Sequence, residues 1–211
     1  MKKYQRSRRD FIYLCIGGSG LLATGYPLAK VLSQSGQQMS KQPFIPTPSN
    51  TLGPFYKKGA PRREKLNVQG DPGVPLLVAG QVINTDGKPL QDAVIEVFHA
   101  DHYGNYDLEG FRYRGEIPAN AKGEYRFETI RPGQYGGRAQ HIHYMISAPG
   151  HRRLVTQLYF ANDPFFEGNP DQTYTRDNLV EHRELIRPVT VTSKNSASYS
   201  SVVFNICLEK A

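Results

Sequence analysis

Short apolar runs alternate with turn sequences along most of the chain after residue 70. The turns are rich in glycine, proline, asparagine and aspartate, which end strands and reverse the chain. Runs of strand length at this spacing, with no internal repeat and no heptads, predict an all-β fold, a sandwich of two antiparallel sheets with long loops. The expected strands are 75–83, 93–100, 124–130, 141–148, 154–160, 185–192 and 199–208.

The length and composition agree with a single strand-rich domain. A chain of 211 residues can bury a core large enough to enclose a site. Its 20 glycines, 15 prolines and 13 tyrosines favour turns and strands over helices, and the polar stretch 165–184 predicts a long loop with a short helix. We expect an export signal at 1–29, a flexible tether at 30–50 and the sandwich domain at 51–211.

The first 29 residues carry most of the excess positive charge. The formal net charge of the chain is +7, of which +4 lies in this leader and +3 is spread over residues 30–211. A charge spread so thinly does not form a surface that follows a phosphate backbone. We therefore expect no nucleic-acid partner.

The leader has the order of a targeting segment. The basic sequence SRRDFI at 7–12 is followed by a moderately apolar stretch up to residue 29, and the whole resembles a twin-arginine export signal. The alternative is a permanent membrane anchor, but glycines and Pro27 interrupt the run, which falls short of the ~20 apolar residues of a spanning helix. We expect an exported, periplasmic or extracellular protein with no stable membrane span after signal removal. Cys207 is then its only cysteine, so no intramolecular disulfide can form.

A pair of histidines lies inside one of the expected strands. Alternate side chains of a strand share a face, so His141 and His143 can reach the same metal ion. The alternative is a polar pair on a solvated face of the strand. Ile142 and Ile146 mark this strand as buried, and Arg138 stands three residues upstream, where an anionic ligand could use it.

Further ligands are needed to identify the metal, because imidazole suits zinc, copper, nickel and iron alike. Carboxylates near the pair are sparse, which argues against the usual zinc sets and against a site of two histidines and one carboxylate. Tyr106 and Tyr135 lie in glycine-containing turns, where a tyrosine is otherwise typically a packing residue with its hydroxyl in water. Two anionic phenolates joined to two neutral imidazoles favour a hard trivalent ion, so iron(III) is the expected cofactor.

Five ordered segments of the chain resemble motifs of one enzyme family. They are TLGPFY at 51–56, GKPLQDAVIEVFHADHYGNYD at 87–107, GEYRFETIRPGQY at 123–135, RAQHIHYMISAPGHRRLVTQLYF at 138–160 and NDPF at 162–165. The family is that of the intradiol ring-cleavage dioxygenases. The resemblance covers about 51–208, and five motifs at compatible spacing are far more specific than any one of them.

The resemblance implies a function and a set of ligands. It makes the protein an iron(III)-dependent dioxygenase that opens a catechol-type ring between its hydroxyls, giving a cis,cis-muconate-type diacid. Tyr106, Tyr135, His141 and His143 would hold the iron, with Tyr135 the ligand that substrate displaces. The implied partners are a catechol-type small molecule and dioxygen, with assembly into a homo-oligomer left open.

The same resemblance implies which residues contact the substrate. Arg138 matches an arginine beside the bound catecholate, and Gln157 matches a glutamine that lines the same pocket. Gly53, Pro54 and Phe55 match a loop that closes over the substrate ring. Substrate binding is therefore expected to combine a charge, an amide and an aromatic wall.

The chain also departs from the family pattern. Where the family usually reads R-P-A-H-x-H, residues 138–143 read R-A-Q-H-I-H, and five residues separate Tyr135 from His141, so the rim of the site should be open. The N-terminal helical dimerisation region of catechol 1,2-dioxygenases has no counterpart, which makes the catalytic subunit of protocatechuate 3,4-dioxygenase the expected nearest likeness. Two alternatives stand beside an active enzyme: an inactive iron-binding relative, and a secreted β-sandwich binding module.

Replacing both Arg8 and Arg9 by lysine tests the interpretation of the leader. Cells producing this variant should retain the protein in the cytoplasm, because the pair of arginines is the feature on which the resemblance rests. Immunoblots of cytoplasmic and exported fractions measure the outcome. Export of the double variant at the wild-type level would contradict a twin-arginine signal.

Overall fold

The computed structural model describes residues 43–67, 70–194 and 197–211, so the predicted signal and most of the predicted tether lie outside the described residues. Within these ranges the chain forms ten strands arranged as two five-stranded sheets. The strands are β1 Pro75–Asn84, β2 Val94–Phe98, β3 Arg114–Pro118, β4 Glu124–Ile130, β5 His141–Ser147, β6 Leu154–Phe160, β7 Ile186–Arg187, β8 Val189–Lys194, β9 Ala197–Val203 and β10 Ile206–Leu208.

The two sheets face each other as a sandwich, as predicted, but both are mixed. In the first sheet β4 pairs with one edge of β1. The other edge of β1 pairs with β9 along its first half and with β10 along its second half, and β8 lies beyond β9. The second sheet has the order β3-β2-β5-β6-β7. The β1–β9, β1–β10 and β6–β7 pairs are parallel, which corrects the expectation of purely antiparallel sheets. Each parallel pair is joined by a long connection, as parallel strands require.

Two expected strands are each divided in the structure. The run 185–192 becomes β7 in one sheet and β8 in the other, with Pro188 between them, since proline lacks the N–H that a continuous ladder needs. The run 199–208 is divided at Phe204 into β9 and β10. β9 pairs with the first half of β1, and β10 pairs with its second half. Gly80 allows this arrangement, because a Cβ there would lie 2.0 Å from the Phe204 carbonyl oxygen, and the side-chain oxygen of Asn205 accepts a hydrogen bond from Gln81 N–H.

The other expectations for secondary structure are mostly confirmed. The five strands expected between 75 and 160 form as β1, β2, β4, β5 and β6. The polar stretch after β6 contains three helical turns, Pro164–Phe166, Pro170–Thr173 and Tyr174–Arg176, and a fourth turn, Arg183–Leu185, precedes β7. β3 was not expected, because its sequence RGEIP has no apolar alternation.

The core lies between the sheets and takes one face of β5. Ile142, Tyr144 and Ile146 are fully buried in it, beside apolar residues of the facing sheet. His141 and His143 point to the opposite face of the same strand, away from the sandwich interior. They are nevertheless about as buried as the core residues, because loops cover that face of the second sheet.

The segment just before the first motif belongs to the folded domain. Phe44 N–H donates to the Thr85 carbonyl, Thr47 N–H to the Cys207 carbonyl and Asn50 N–H to the Val155 carbonyl, at 2.8 to 3.0 Å. The folded chain therefore starts upstream of 51, inside the stretch expected as a tether. In the described part of the chain, no helix is long and apolar enough to cross a membrane.

Candidate metal centre

The predicted histidine pair lies at the start of β5, in the middle of the second sheet. Phe98 of β2 and Gln157 of β6 stand opposite His143 on the neighbouring strands. These side chains form one row across the sheet, on the face covered by loops. The sheet therefore fixes the spacing of the row before any loop is considered.

Three polar atoms meet above this row. The hydroxyl oxygen of Tyr106 lies 3.2 Å from His141 Nε2 and 3.1 Å from His143 Nε2. The two Nε2 atoms lie 3.2 Å apart. Three of the four predicted ligands are thus brought together with their donor atoms facing one another.

The proton on His141 is placed by its backbone neighbour. His141 Nδ1 lies 2.7 Å from the Ala139 carbonyl oxygen, which can only accept, so Nδ1 carries the hydrogen. The neutral ring then presents the lone pair of Nε2 to Tyr106 and His143. A histidine whose second nitrogen donates to a carbonyl is oriented as a metal ligand requires.

His143 is held by stacking and by close contact with a loop. Its ring lies parallel to that of Phe98, with centroids 4.3 Å apart and planes at 2°. Burial lowers the pKa of His143 well below its usual value, and its Nδ1 is buried without a hydrogen-bond partner. On the other side the Gly53 backbone approaches so closely that a Cβ there would lie 3.0 Å from His143 Cε1.

A tight turn between β2 and β3 carries Tyr106. The side chain of Asp101 accepts hydrogen bonds from the N–H groups of Tyr103 and Asn105, and Gly104 adopts φ +88°, which favours glycine. The ring of Phe55 stacks on Tyr106, with centroids 4.3 Å apart. Burial is the main reason that the pKa of Tyr106 is raised above 10, so in the metal-free protein its hydroxyl is protonated.

Tyr135 sits at the open side of the cluster. Its ring centroid is 5.5 Å from that of Tyr106 and 5.0 Å from that of Phe55, edge-on in both cases. At 39% exposure it is the most accessible of the four predicted ligands, and its hydroxyl makes no hydrogen bond to the other three. The structure therefore places Tyr135 beside the converging atoms and against solvent.

Arg138 lies beside the cluster, held by three partners. Its Nε is 3.1 Å from a carboxylate oxygen of Asp177, and its Nη2 donates to Tyr159 Oη at 2.7 Å and to Gln157 Oε1 at 3.2 Å. Tyr159 Oη also donates to Gln157 Oε1. The guanidinium is thus fixed in direction, with 15% of the side chain still exposed.

Gln157 joins this polar group to the first motif. Its Nε2 donates to the Thr51 carbonyl at 2.7 Å, which anchors the loop that contains Gly53, Pro54 and Phe55. Pro54 is exposed, whereas Phe55 packs against both predicted tyrosine ligands. The loop therefore lies beside the two predicted tyrosine ligands.

Three further residues of the site were not predicted from the sequence. Asp177 lies in the polar loop before β7, where no periodicity or motif marks it. Phe98 and Tyr159 read as ordinary core residues of their strands. Strand alternation could have indicated both, because Phe98 faces His143, and Tyr159 faces His141, in the antiparallel register.

The donor set fits a hard trivalent cation. Two imidazole Nε2 atoms meet a tyrosine oxygen, and a second tyrosine stands at the open side. In the described ranges no cluster of three or more histidine, cysteine, aspartate or glutamate residues could hold a metal ion. The site accordingly depends on tyrosine oxygen, which suits iron(III) better than zinc or copper.

Comparison with known proteins agrees with this geometry. A family model described as dioxygenase matches residues 51–210. Catechol 1,2-dioxygenase 2 of Acinetobacter lwoffii is 32% identical, over 87% of this chain and 76% of that protein. Hydroxyquinol 1,2-dioxygenase of Nocardioides simplex is 31% identical, over 78% of this chain and 65% of that protein. These two relatives act, by name, on catechol and hydroxyquinol, and they do not support the expected nearest likeness to the protocatechuate enzyme.

A solved structure gives the same result for the fold. The dioxygenase domain of a dioxygenase carbohydrate-binding protein fusion from Streptomyces sp. SirexAA-E is 36% identical to this chain. The two superpose with a TM-score of 0.68, over 79% of this chain and all of that domain. The sandwich therefore has the fold of a known dioxygenase domain.

The buried histidines predict a pH-dependent stability of the metal-free protein. Burial lowers the pKa of His99 and His141 to about 4, and burial, together with the charges of His141 and Arg138, also lowers the pKa of His143 well below its usual value. The unfolded chain, with imidazole pKa near 6.5, therefore binds more protons below that pH. The free energy of unfolding should fall as the pH drops from about 6.5 towards 4, by up to roughly 3 kcal/mol for His99 alone.

Urea unfolding of the metal-free protein between pH 7.5 and 4.5 measures this effect. His99→Gln keeps a side chain that can bond Thr129, and should give a shallower slope with pH as well as a lower starting stability. A stability that stays constant over this range would contradict the assignment of neutral buried imidazoles.

Proposed function

Because the chain belongs to the intradiol ring-cleavage dioxygenases, a family of non-haem iron(III) enzymes, we propose that it opens the ring of a catechol-type diol between the two hydroxyl-bearing carbons. Dioxygen is the co-substrate, and a cis,cis-muconate-type diacid is the product. The observation that carries the proposal is the convergence of Tyr106 Oη with the Nε2 atoms of His141 and His143.

Tyr106, Tyr135, His141 and His143 are the proposed iron ligands. The two tyrosines supply hard anionic oxygens once deprotonated, and the histidines supply neutral nitrogens whose direction is fixed by Ala139 and Phe98. Bound iron(III) supplies a Lewis-acidic template for the two oxygens of the diol and prepares its ring for reaction with dioxygen. The role of the protein is to hold, orient and shield the diol at this point.

Tyr135 is the proposed proton acceptor when a diol binds. It is the outermost of the four ligands and has no hydrogen bond to the other three, so its release disturbs the buried part of the site least. Its phenolate oxygen would accept one of the two protons of the incoming diol and become a neutral hydroxyl at the open side of the site, and the second proton would pass to a base in the solvent that reaches this side. Tyr106, which is stacked on Phe55 and enclosed, stays in place.

Arg138 and Gln157 are the proposed polar contacts of the bound diol. The guanidinium is fixed in direction and largely removed from water, so its charge acts at low effective dielectric on negative charge that develops in the ring. Gly53, Pro54 and Phe55 form the proposed wall over the substrate. Gly53 is needed there because of its φ of +75° and its close approach to His143.

The same proposal includes export and the use of the reaction in the breakdown of aromatic compounds. The twin-arginine-like leader supports export, and that route carries folded proteins, so iron could be bound before transport. The lysine variant of Arg8 and Arg9 tests this part separately from catalysis.

Tyr106→Phe tests the metal assignment. Residues 30–211 produced with iron should be red-brown, because charge transfer from tyrosinate to iron(III) absorbs visible light. The variant should lose much of that band and most of its iron, as the phenyl ring keeps the stack on Phe55 without the oxygen ligand. Visible spectra and metal analysis measure both, with Tyr103→Phe, exposed in the same turn, as the control that keeps its colour.

A colourless wild type would contradict the metal assignment and favour the binding-module alternative. Zinc at one ion per chain would have the same consequence. Colour with iron but no ring opening would favour the inactive relative.

Arg138→Ala separates a residue that helps the reaction from one that holds the metal. The variant should keep iron and colour and still bind catechol, but its turnover should fall about 10²-fold or more, because one preorganised charge is lost from an enclosed site. His141→Ala should instead lose iron and activity together. Oxygen uptake, product analysis and iron content distinguish the two outcomes.

Turnover of catechol by Arg138→Ala at the wild-type rate would remove Arg138 from the mechanism. A wild-type product cleaved outside the two hydroxyls would contradict the intradiol assignment itself.

A further inference from the structure

A buried carboxylate stands behind Arg138, in the long loop that precedes β7. The side chain of Asp177 is 1% exposed, and its two oxygens accept four hydrogen bonds. One oxygen takes Leu179 N–H at 3.1 Å and the other takes Ala139 N–H at 3.0 Å. Both lie 3.1 to 3.2 Å from Arg138 Nε.

The hydrogen bonds from Arg138 Nε to Asp177 set the direction of the Arg138 guanidinium. The carboxylate binds Nε of the guanidinium. Nη2 remains free to donate to Tyr159 and Gln157. Both oxygens of an aspartate accept at once, whereas an amide at this position would turn a donor group towards at least one of the three N–H groups that the carboxylate now binds, and would carry no charge to hold the guanidinium. Charge-assisted bonds in a buried place are strong and directional.

The same carboxylate also holds the residue between Arg138 and the histidines. Ala139 donates its N–H to Asp177 and accepts from His141 Nδ1 through its carbonyl. The family pattern has proline at this position, which has no N–H to give. The amide contact to Asp177 is therefore possible in this chain because position 139 is not proline.

We infer that Asp177 is a positioning residue that aims the Arg138 guanidinium at the bound diol. The inference rests on the proposed function, because the diol is the group at which Arg138 is aimed. Asp177 itself bonds to Arg138, Ala139 and Leu179 and makes no hydrogen bond to the side chains of the proposed iron ligands. It acts through Arg138.

Asp177→Asn is the direct test, since it keeps the shape and one acceptor but removes the charge. With iron bound, the variant should keep the charge-transfer colour and a KM for catechol within about threefold of wild type, whereas kcat should fall between about 10- and 100-fold, the range expected for a misplaced group at the reacting centre. In the Arg138→Ala background the same substitution should cost almost nothing further. Non-additivity of this kind is the signature of one residue acting through another.

Asp163→Asn is the matched control. Asp163 is equally buried and accepts hydrogen bonds from the Gln134 side chain and from the N–H groups of Gln140 and Phe165, but makes no hydrogen bond to Arg138. This variant should lose stability and keep kcat within about twofold of wild type. If Asp177→Asn does not fold, Asp177→Glu takes its place in the same cycle, because it retains the charge at a shifted position.

A second measurement needs no catalysis. In metal-free protein labelled with ¹⁵N-arginine, the Arg138 Nε–H signal, identified by its loss in Arg138→Ala, should exchange slowly with water in wild type and in Asp163→Asn. It should exchange at least about tenfold faster in Asp177→Asn, because opening of this bond then becomes easier. Unchanged exchange, or equal and additive losses of kcat in both backgrounds, would overturn the role of Asp177.

A wild-type protein that binds iron but opens no catechol would overturn the proposed function, while the exchange measurement would still decide whether Asp177 fixes Arg138.

Discussion

One strand is shared between the core and the candidate metal centre, and this sharing constrains the rest of the molecule. Ile142 and Tyr144 of β5 fill the sandwich interior, and His141 and His143 occupy the other face. A shift of one residue in the pairing of β5 would exchange the two sets, placing imidazoles in an apolar core. The packing that stabilises the fold thus also fixes the register on which the site depends.

Hydrogen bonds to buried polar groups then hold the parts of the site that lie outside the sheet. Gln157 ties β6 to the first motif through the Thr51 carbonyl, and Asp177 ties the long loop to the segment before β5. Asn50 connects these two regions, since its side-chain N–H donates to the Leu179 carbonyl. A buried polar group without a hydrogen-bond partner costs free energy. The loops therefore have few alternative arrangements in which every buried polar atom still has a partner.

The sequence was most informative where a local period or a motif determines the geometry. Alternation in β5 was sufficient to place both histidines on one face, and the motifs located the loop of Phe55 and the turn of Tyr106. The parallel pairing of β1 could not be predicted, because it depends on partners more than 120 residues away along the chain. Asp177 was missed for the same reason: its partner Arg138 lies 39 residues upstream, and no regular structure links the two.

The first described residues and the last strand are joined across almost the whole domain. Cys207 N–H donates to Thr47 Oγ1, and Thr47 N–H donates to the Cys207 carbonyl, over a separation of 160 residues. The same opening segment continues to Asn50 and Thr51. These two residues form hydrogen bonds with Val155 and Gln157 of β6, beside the candidate site. During synthesis these bonds to β10 cannot form until the ribosome has released Cys207, 160 residues after Thr47, so the opening segment gains this support only after all the other strands have been made.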